Sequence, residues 1–184
     1  MNRVDSSSEQ IVDELLVMDC QAGRAEALNL LISRWQKRLW QHAHRFVRDT
    51  EAAWDVTQQS WIGIIKGLPK LDDPANFRAW AYRITTNKAI DWIKKTQKAK
   101  HVGLDEVQDK QHEDKKDSDI KELLEKLDLE KRTVLSLYYF EQLSISDISM
   151  ALNIPKGTVK SRLYNARNEL KNLWQQHFEK FQET

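Results

Sequence analysis

The segment from Lys156 to Asn168 carries basic, hydroxyl and amide side chains at the spacing of one helix face. Lysine and arginine neutralise DNA phosphates, whereas amide, hydroxyl and guanidinium groups can also hydrogen-bond to base edges in a major groove. The chemistry that this face offers is therefore binding of a nucleic acid. The candidate contact residues are Lys156, Thr158, Lys160, Ser161, Arg162, Tyr164, Asn165 and Arg167.

The residues around this segment predict a helix-turn-helix. Ser144 and Asp147 have the spacing of a capping box at the start of a first helix, and Pro155 suits the first position of a second helix. Asn153 and Ile154 complete the predicted turn. The predicted inward residues are Ile145, Ile148, Leu152, Val159, Leu163, Ala166 and Leu170. An ordinary pair of packed helices with a solvated basic face is the alternative.

Three amphipathic segments earlier in the chain predict a helical bundle over residues 26–47, about 50–68 and about 75–95. The first stripe is Leu28, Leu31, Trp35, Leu39, Ala43 and Phe46, widened by Leu30 and Trp40. The second is Val56, Trp61, Ile65 and Leu68, after a possible cap at Thr50, and the third is Phe77, Trp80, Ala81, Ile84 and Ile93. A further stripe through Ile120, Leu123, Leu124, Leu127, Val134, Leu135, Tyr138 and Phe140 predicts helices in a second domain.

Composition favours an all-α fold, since 184 residues include only 5 glycines and 3 prolines. The net charge is +1, but residues 24–101 hold 15 basic and 7 acidic side chains and residues 131–184 hold 8 and 5. Residues 102–130, between these two basic blocks, hold 5 basic and 11 acidic side chains. This pattern suits two domains that face nucleic acid on either side of a solvated tether, although ordinary surface charge is an equal alternative.

Several kinds of chemistry are not expected. Cys20 is the single cysteine, so it predicts neither a disulfide nor a thiolate metal site. The chain shows neither a secretory signal nor an apolar stretch of membrane-spanning length, so we expect a cytoplasmic protein without membrane insertion. We expect no cofactor, no metal and no catalytic residue.

Three segments together resemble the sigma-70 family of bacterial sigma factors, and within it the extracytoplasmic-function (ECF) subfamily. GTVKSRLYNARNEL is similar to the recognition helix of region 4, which reads the minus-thirty-five promoter element. WDVTQQSW, from Trp54 to Trp61, is similar to the region 2 helix that docks on the coiled coil of the polymerase beta-prime subunit. NFRAWAYRITTNKAIDWIKK is similar to the part of region 2 that melts and reads the minus-ten element.

The resemblance implies roles for particular residues. Asn87 matches the position that holds a base flipped from the stack, with a solvated asparagine as the alternative. The implied minus-ten residues are Arg83, Asn87, Lys88, Lys94 and Lys95, and the implied polymerase-binding residues are Trp54, Asp55, Gln58 and Gln59. Asn165, Gln59 and Trp54 depart from residue types that are common in the family at those positions. For Trp61, burial in the bundle core is the favoured interpretation.

The resemblance also implies a division of the chain into region 2 over residues 1–95, a flexible acidic linker over 96–117 and region 4 over 118–184. The acidic pairs Asp105-Glu106 and Glu113-Asp114 suit either a segment that mimics nascent RNA in the polymerase or an inert tether. The implied partners are core RNA polymerase, through its beta-prime coiled coil and beta flap, promoter DNA and an anti-sigma factor. The implied function is stress-responsive transcription initiation by a chain that is monomeric when free.

Two other functions are weighed against this one. A helix-turn-helix regulator with a sensor domain would suit the second half of the chain, but residues 1–95 show helical periodicity and no acidic phosphoacceptor pocket. A helical-bundle enzyme would have to use His42 and His44, which lie two residues apart and therefore point to different faces of a helix. Neither alternative explains the three family-like segments.

Overall fold

The computed structural model describes residues 3–101 and 115–182, and every regular element within them is helical. The helices are α1 (Arg3–Gln21), α2 (Ala25–Val47), α3 (Thr50–Gly67), α4 (Phe77–His101), α5 (Lys115–Lys126), α6 (Leu129–Leu135), α7 (Ile145–Leu152) and α8 (Lys156–Gln182). They form two compact units, α1–α4 and α5–α8. The predicted all-α class is confirmed. None of the described helices combines the length and apolar character needed to cross a membrane.

Local hydrogen bonds of Arg48 and Asp49 stabilise the connection between α2 and α3. Arg48 adopts the left-handed conformation, with φ of 58°, and its backbone N–H donates to the His44 carbonyl. The next residue, Asp49, caps α3 because its carboxylate accepts a hydrogen bond from the Ala52 N–H at 2.6 Å. Thr50, the predicted cap, is instead the first helical residue. Asp is as effective an N-cap as Thr or better, and it stands one residue earlier.

The core of the first unit is built around Trp35. Its ring meets Phe77 edge-on at a centroid distance of 5.3 Å and Tyr82 at 5.7 Å, so α2 is packed directly against α4. Trp61 is buried, as predicted. The predictions for Leu30 and Ile65 are wrong, since both side chains are exposed. Helix α3 instead buries Thr57, Ser60 and Ile64, which lie on a different side from Ile65.

Helix α1 was not anticipated from the sequence. It buries Val17 and, less expectedly, Asp13, which forms an ion pair with Arg34 of α2 at 2.9 Å. Nearby, Glu9 pairs with Arg38 at 2.8 Å. At the end of α1, the amide of Gln21 donates to the carbonyls of Leu68 and Leu71 in the turn after α3. Polar contacts therefore attach much of α1 to the bundle.

The packing of α3 against α4 depends on Gly67. A Cβ atom at this position would lie 2.7 Å from Cζ2 of Trp80, so only glycine allows this approach without a shift of the indole. Helix α4 then continues to His101, six residues past the predicted end at Lys95. The acidic pairs predicted in the linker, at residues 105–106 and 113–114, lie outside the described residues.

The second unit places the helix-turn-helix against α6. Ser144 and Asp147 form the predicted capping box, with the Asp147 N–H donating to Ser144 Oγ and the Ser144 N–H to Asp147 Oδ2, both at 3.1 Å. Asn153 ends α7 in the left-handed conformation, and α8 begins directly after Pro155. The core side chains are Leu123, Leu127, Val134, Leu135, Leu137, Leu143, Ile148, Ala151, Val159, Leu163 and Ala166. Ile120 and Phe140 are more exposed than their stripe predicted.

Candidate nucleic-acid and protein interfaces

The outward face of α8 presents its candidate residues around a polar centre. At 100° per residue, Ser161, Tyr164 and Asn165 lie opposite the buried side of the helix. Tyr164 is 66% exposed. The exposed candidates are Lys156, Lys160, Ser161, Tyr164, Asn165 and Arg167, whereas Thr158 and Arg162 are half-buried. The face therefore has an uncharged centre suited to base edges, with cations along both edges suited to phosphates.

The two edges of this face are held differently. On one edge, the Nε atom of Arg167 donates to the hydroxyl of Tyr139 at 2.8 Å, and its guanidinium lies over the Tyr138 ring at 5.1 Å. On the other edge, Arg162 pairs with Glu130 of α6 at 2.7 Å. Both arginines are thus positioned by contacts inside the unit before any ligand is bound.

A second link between α6 and α8 runs through Lys131. Its ammonium lies 2.6 Å from a carboxylate oxygen of Asp128 and 2.8 Å from one of Glu169. Hydrogen bonding to Asp128, and then to Glu169, raises the pKa of Lys131 well above its ordinary value. Asp128 also caps α6 by accepting from the Lys131 N–H. These contacts fix the start of α6 relative to the recognition side of α8.

The exposed face of α4 gathers the five candidate residues of this helix. Arg83, Asn87 and Lys94 share one arc of the helix, and Lys88 and Lys95 flank it. All five side chains are exposed. Asp91 and Lys98 are exposed on the same arc and were not predicted.

The opposite side of α4 fixes the direction of this face. Thr85, Thr86 and Ala89 are buried there, and Thr86 Oγ1 lies 2.8 Å from Nε2 of His42 on α2. A rotation of α4 that buried Asn87 would break this contact. The arrangement can present a neutral amide between cations to an unstacked, negatively charged strand.

The exposed face of α3 contains all four predicted polymerase-binding residues and two exposed isoleucines that were not predicted there. Trp54, Asp55, Gln58 and Gln59 are exposed. Ile62 and Ile65 follow on the same side of the helix and are 46% and 42% exposed. Trp54 packs against Trp40 of α2 at a centroid distance of 5.7 Å and remains 40% exposed. Helical spacing from Trp54 and Gln58 could have identified Ile62 and Ile65 as part of this face.

His42 and His44, the candidate residues of the alternative enzyme hypothesis, contribute to the packing of the first unit. His42 is fully buried between Phe46 and Tyr82, and His44 stacks on Trp40 at 5.0 Å. In the described part of the chain, no three His, Cys, Asp or Glu residues are grouped so that they could hold a metal ion. Cys20 is half-buried, and burial raises the pKa of its thiol. The exposed faces of α3, α4 and α8 therefore remain the candidate sites.

Comparison with known protein families matches two parts of the chain. A model of Sigma-70 region 2 matches residues 31–99, and a model of Sigma-70 region 4 matches residues 118–170. The first match contains the α3 and α4 faces, and the second contains the candidate residues of α8.

Individual relatives agree with these matches. The chain is 27% identical to the RNA polymerase sigma-H factor of Pseudomonas aeruginosa, over 86% of this chain and 91% of the relative. It is 28% identical to the ECF RNA polymerase sigma-E factor of Haemophilus influenzae, over 90% and 96%. It is 27% identical to the factor of that name from Escherichia coli, over 90% and 95%.

Two solved structures share the fold. CnrH, in complex with the cytosolic domain of CnrY, superposes with a TM-score of 0.70 at 25% identity, over 89% of this chain and 97% of that one. The sigma factor RpoE of Bartonella quintana, in complex with the anti-sigma factor NepR, superposes with a TM-score of 0.66 at 20% identity, over 80% and 96%.

Proposed function

The chain belongs to the ECF group of the sigma-70 family, and on that premise we propose that it binds core RNA polymerase and directs it to a specific set of promoters. The observation that carries this proposal is the presence of both family regions in one chain. Each region presents an exposed polar face of the chemistry that its role requires. A helix-turn-helix regulator would need only the second region.

The first unit is proposed to join polymerase and to open DNA. The α3 face, with Trp54, Asp55, Gln58 and Gln59, would dock on the beta-prime coiled coil, because it combines an exposed aromatic ring with polar groups around it. The α4 face would meet the minus-ten element. There the side chains of Arg83, Lys88, Lys94 and Lys95 would attract the strand, and the Asn87 amide would bind one flipped base.

The second unit is proposed to read duplex DNA. Helix α8 would enter the major groove at the minus-thirty-five element, as the second helix of a helix-turn-helix does. Ser161, Tyr164 and Asn165 would face base edges, with Lys156, Thr158, Lys160 and Arg167 along the backbone and Arg162 at the rim. The beta flap of polymerase would hold this unit in place over the DNA.

We assign residues 1–95 to region 2, 96–117 to a linker and 118–184 to region 4. The family matches at 31–99 and 118–170 support this order, although the first match and α4 both extend past residue 95. The linker is proposed either to enter the active cleft or to act as a tether.

A separate anti-sigma factor is proposed to hold the chain inactive until a stress, of the envelope or another kind, releases it. The structure of CnrH in complex with the cytosolic domain of CnrY supports a separate protein partner for a chain of this fold. We further propose that the free chain is a monomer, that it acts in the cytoplasm where promoters and polymerase meet, and that it catalyses no reaction of its own.

Reconstitution tests this function directly. Bacterial core polymerase would be incubated with the full-length chain and fragmented DNA of the source organism, and the 5′ ends of the transcripts would be sequenced. We expect new start sites that share two upstream elements and are absent with core polymerase alone. Start sites identical to those of core polymerase alone would contradict the proposal. The same data define the upstream duplex that is used in the experiments below.

A further inference from the structure

The ion pair between Glu130 and Arg162 lies at one edge of the α8 face that is proposed to read DNA. The distance between Glu130 Oε2 and Arg162 Nη2 is 2.7 Å. The Glu130 side chain is 68% exposed, compared with 29% for Arg162. The carboxylate is therefore the more accessible member of the pair.

The position of Glu130 is fixed by its neighbours in α6. The cap formed by Asp128 and the double ion pair of Lys131 hold the residues on both sides of Glu130. One of these contacts, between Lys131 and Glu169, anchors α6 to α8 two turns beyond Arg162. Glu130 is thus set in place beside the arginine by the fold.

The opposite edge of the same face has no such counter-charge. Among the described residues, no carboxylate lies within ion-pair distance of Lys156, Lys160 or Arg167, and Arg167 is held by the neutral side chains of Tyr138 and Tyr139. The attraction of α8 for phosphate is consequently concentrated on one edge.

We propose that Glu130 is a specificity-determining residue that cancels the attraction of Arg162 for DNA phosphate while leaving its hydrogen-bond donors available to bases. A guanidinium has five N–H donors, and the ion pair occupies the Nη2 end. The pair carries no net charge, so it adds little to binding that depends on counterion release. The remaining donors can still meet neutral acceptors such as O6 and N7 of guanine. This inference rests on the proposed function of α8.

The test compares carboxylate variants of the full-length chain on a 25-bp duplex of shuffled sequence and on the mapped upstream duplex. Glu130→Gln keeps an acceptor for Arg162 but removes the charge. We expect its affinity for the shuffled duplex to rise about three- to ten-fold at low salt, and the slope of log K against log salt to steepen by about 0.9. Its affinity for the upstream duplex should rise less, so that the ratio of the two affinities falls. Glu130→Asp keeps the charge and should retain the wild-type slope.

Glu122→Gln is the matched control, because Glu122 forms an exposed ion pair with Lys126 in α5, in the same unit but away from this end of α8. It should leave both the slope and the ratio unchanged. Equal effects of Glu122→Gln and Glu130→Gln, or an equal gain on both duplexes, would overturn the inference. Failure of the proposed function would differ, because the wild-type chain would then initiate no new transcripts.

Discussion

The Nε2 atom of His42 lies 2.8 Å from the hydroxyl oxygen of Thr86, and this contact joins α2 to α4 inside the first unit. Both side chains are fully buried. Thr86 directly precedes Asn87, so the contact that holds the buried side of α4 also sets the direction of the exposed side. A packing contact and the proposed base-binding residue are therefore coupled through two consecutive residues of α4.

Thr86→Val should lower the free energy of unfolding of the first unit by about 1–3 kcal/mol, because the buried imidazole loses this hydrogen bond while the side-chain volume is kept. Thr85→Val is the control. Thr85 is also buried, but its hydroxyl donates to the Ala81 carbonyl of its own helix. Urea unfolding followed by tryptophan fluorescence reports on this unit, since six of the seven tryptophans lie before residue 93. Equal losses in the two variants would contradict a special role for the interhelical contact.

The face of α8 could be predicted from the sequence because several local signals agree there. The capping box at Ser144 sets where α7 begins, and the three-and-four spacing of Val159, Leu163 and Ala166 sets which side of α8 is buried. Once the buried side is known, the position of each remaining residue in the helix shows whether its side chain lies on the exposed face. The burial of Arg162 against Glu130 could not be predicted, since it depends on how α6 crosses α8.

Helix α1 was not predicted because residue type does not indicate which of its side chains are buried. Ile11, Leu15 and Met18 are more than half exposed, whereas Asp13 is buried with Arg34. A hydrophobic pattern cannot identify a helix whose docking depends on ion pairs with a distant segment. The sequence of α1 by itself does not show which distant residues its charged side chains will pair with.

The ion pair between Glu9 and Arg38 should make the attachment of α1 sensitive to acid. The hydrogen bond from Arg38, and then its charge, lowers the pKa of Glu9 below 4.5 in the folded chain. A carboxylate with a lowered folded pKa stabilises fully above its unfolded pKa and loses that contribution as pH falls through the folded value. The loss should therefore occur below about pH 4.5, and it should be small because Glu9 is half exposed.

NMR titration of the Glu9 carboxyl carbon checks this. In Arg38→Gln the pKa of Glu9 should rise toward 4.5, while a Lys37→Gln control, one residue away, should leave it unchanged. An unaltered Glu9 titration in Arg38→Gln would count against the ion pair.

Ile62→Ser should weaken binding of the chain to core polymerase by about five- to thirty-fold. Ile62 lies on the same exposed side of α3 as Trp54 and Gln58, so it extends the proposed docking surface with apolar area. Leu30→Ser on α2 is the control, because Leu30 is also an exposed aliphatic residue of this unit. Titration of labelled chain with core polymerase gives both dissociation constants. Equal constants for Ile62→Ser and the wild type would remove Ile62 from the surface.

Lys160→Ala should weaken binding to the upstream duplex and reduce the salt slope by about one unit, as expected for a lost phosphate contact. Arg162→Ala should not give the same change in slope as Lys160→Ala, because removal of Arg162 leaves the carboxylate of Glu130 without its ion-pair partner. Lys70→Ala, an exposed lysine in the first unit, provides the control for net charge. Filter binding over a range of salt concentrations measures the slopes. A Lys160→Ala slope equal to that of Lys70→Ala would place Lys160 away from the backbone.

Asn87→Ala should impair promoter melting without affecting the earlier steps of recognition. The side chain is exposed, so its removal leaves no buried group without a partner and the bundle should stay intact. Extruding a base costs a few kcal/mol, which a pocket must return through stacking and hydrogen bonds to the edge of that base. Loss of the amide should therefore lower open-complex formation and reduce discrimination at one minus-ten position by about 1–3 kcal/mol.

Permanganate footprinting of unpaired thymines on the mapped promoters measures this melting, and binding of core polymerase and of the upstream duplex should remain close to wild type. Gln97→Ala provides a matched control, because Gln97 is an exposed amide on the same helix but outside the arc that contains Asn87. It should melt promoters normally. Lys160→Ala should show the reverse of Asn87→Ala, with weak closed complexes that melt normally once they form. If Asn87→Ala opens promoters with unchanged sequence preference, Asn87 is a solvated surface residue and the base is held elsewhere on α4.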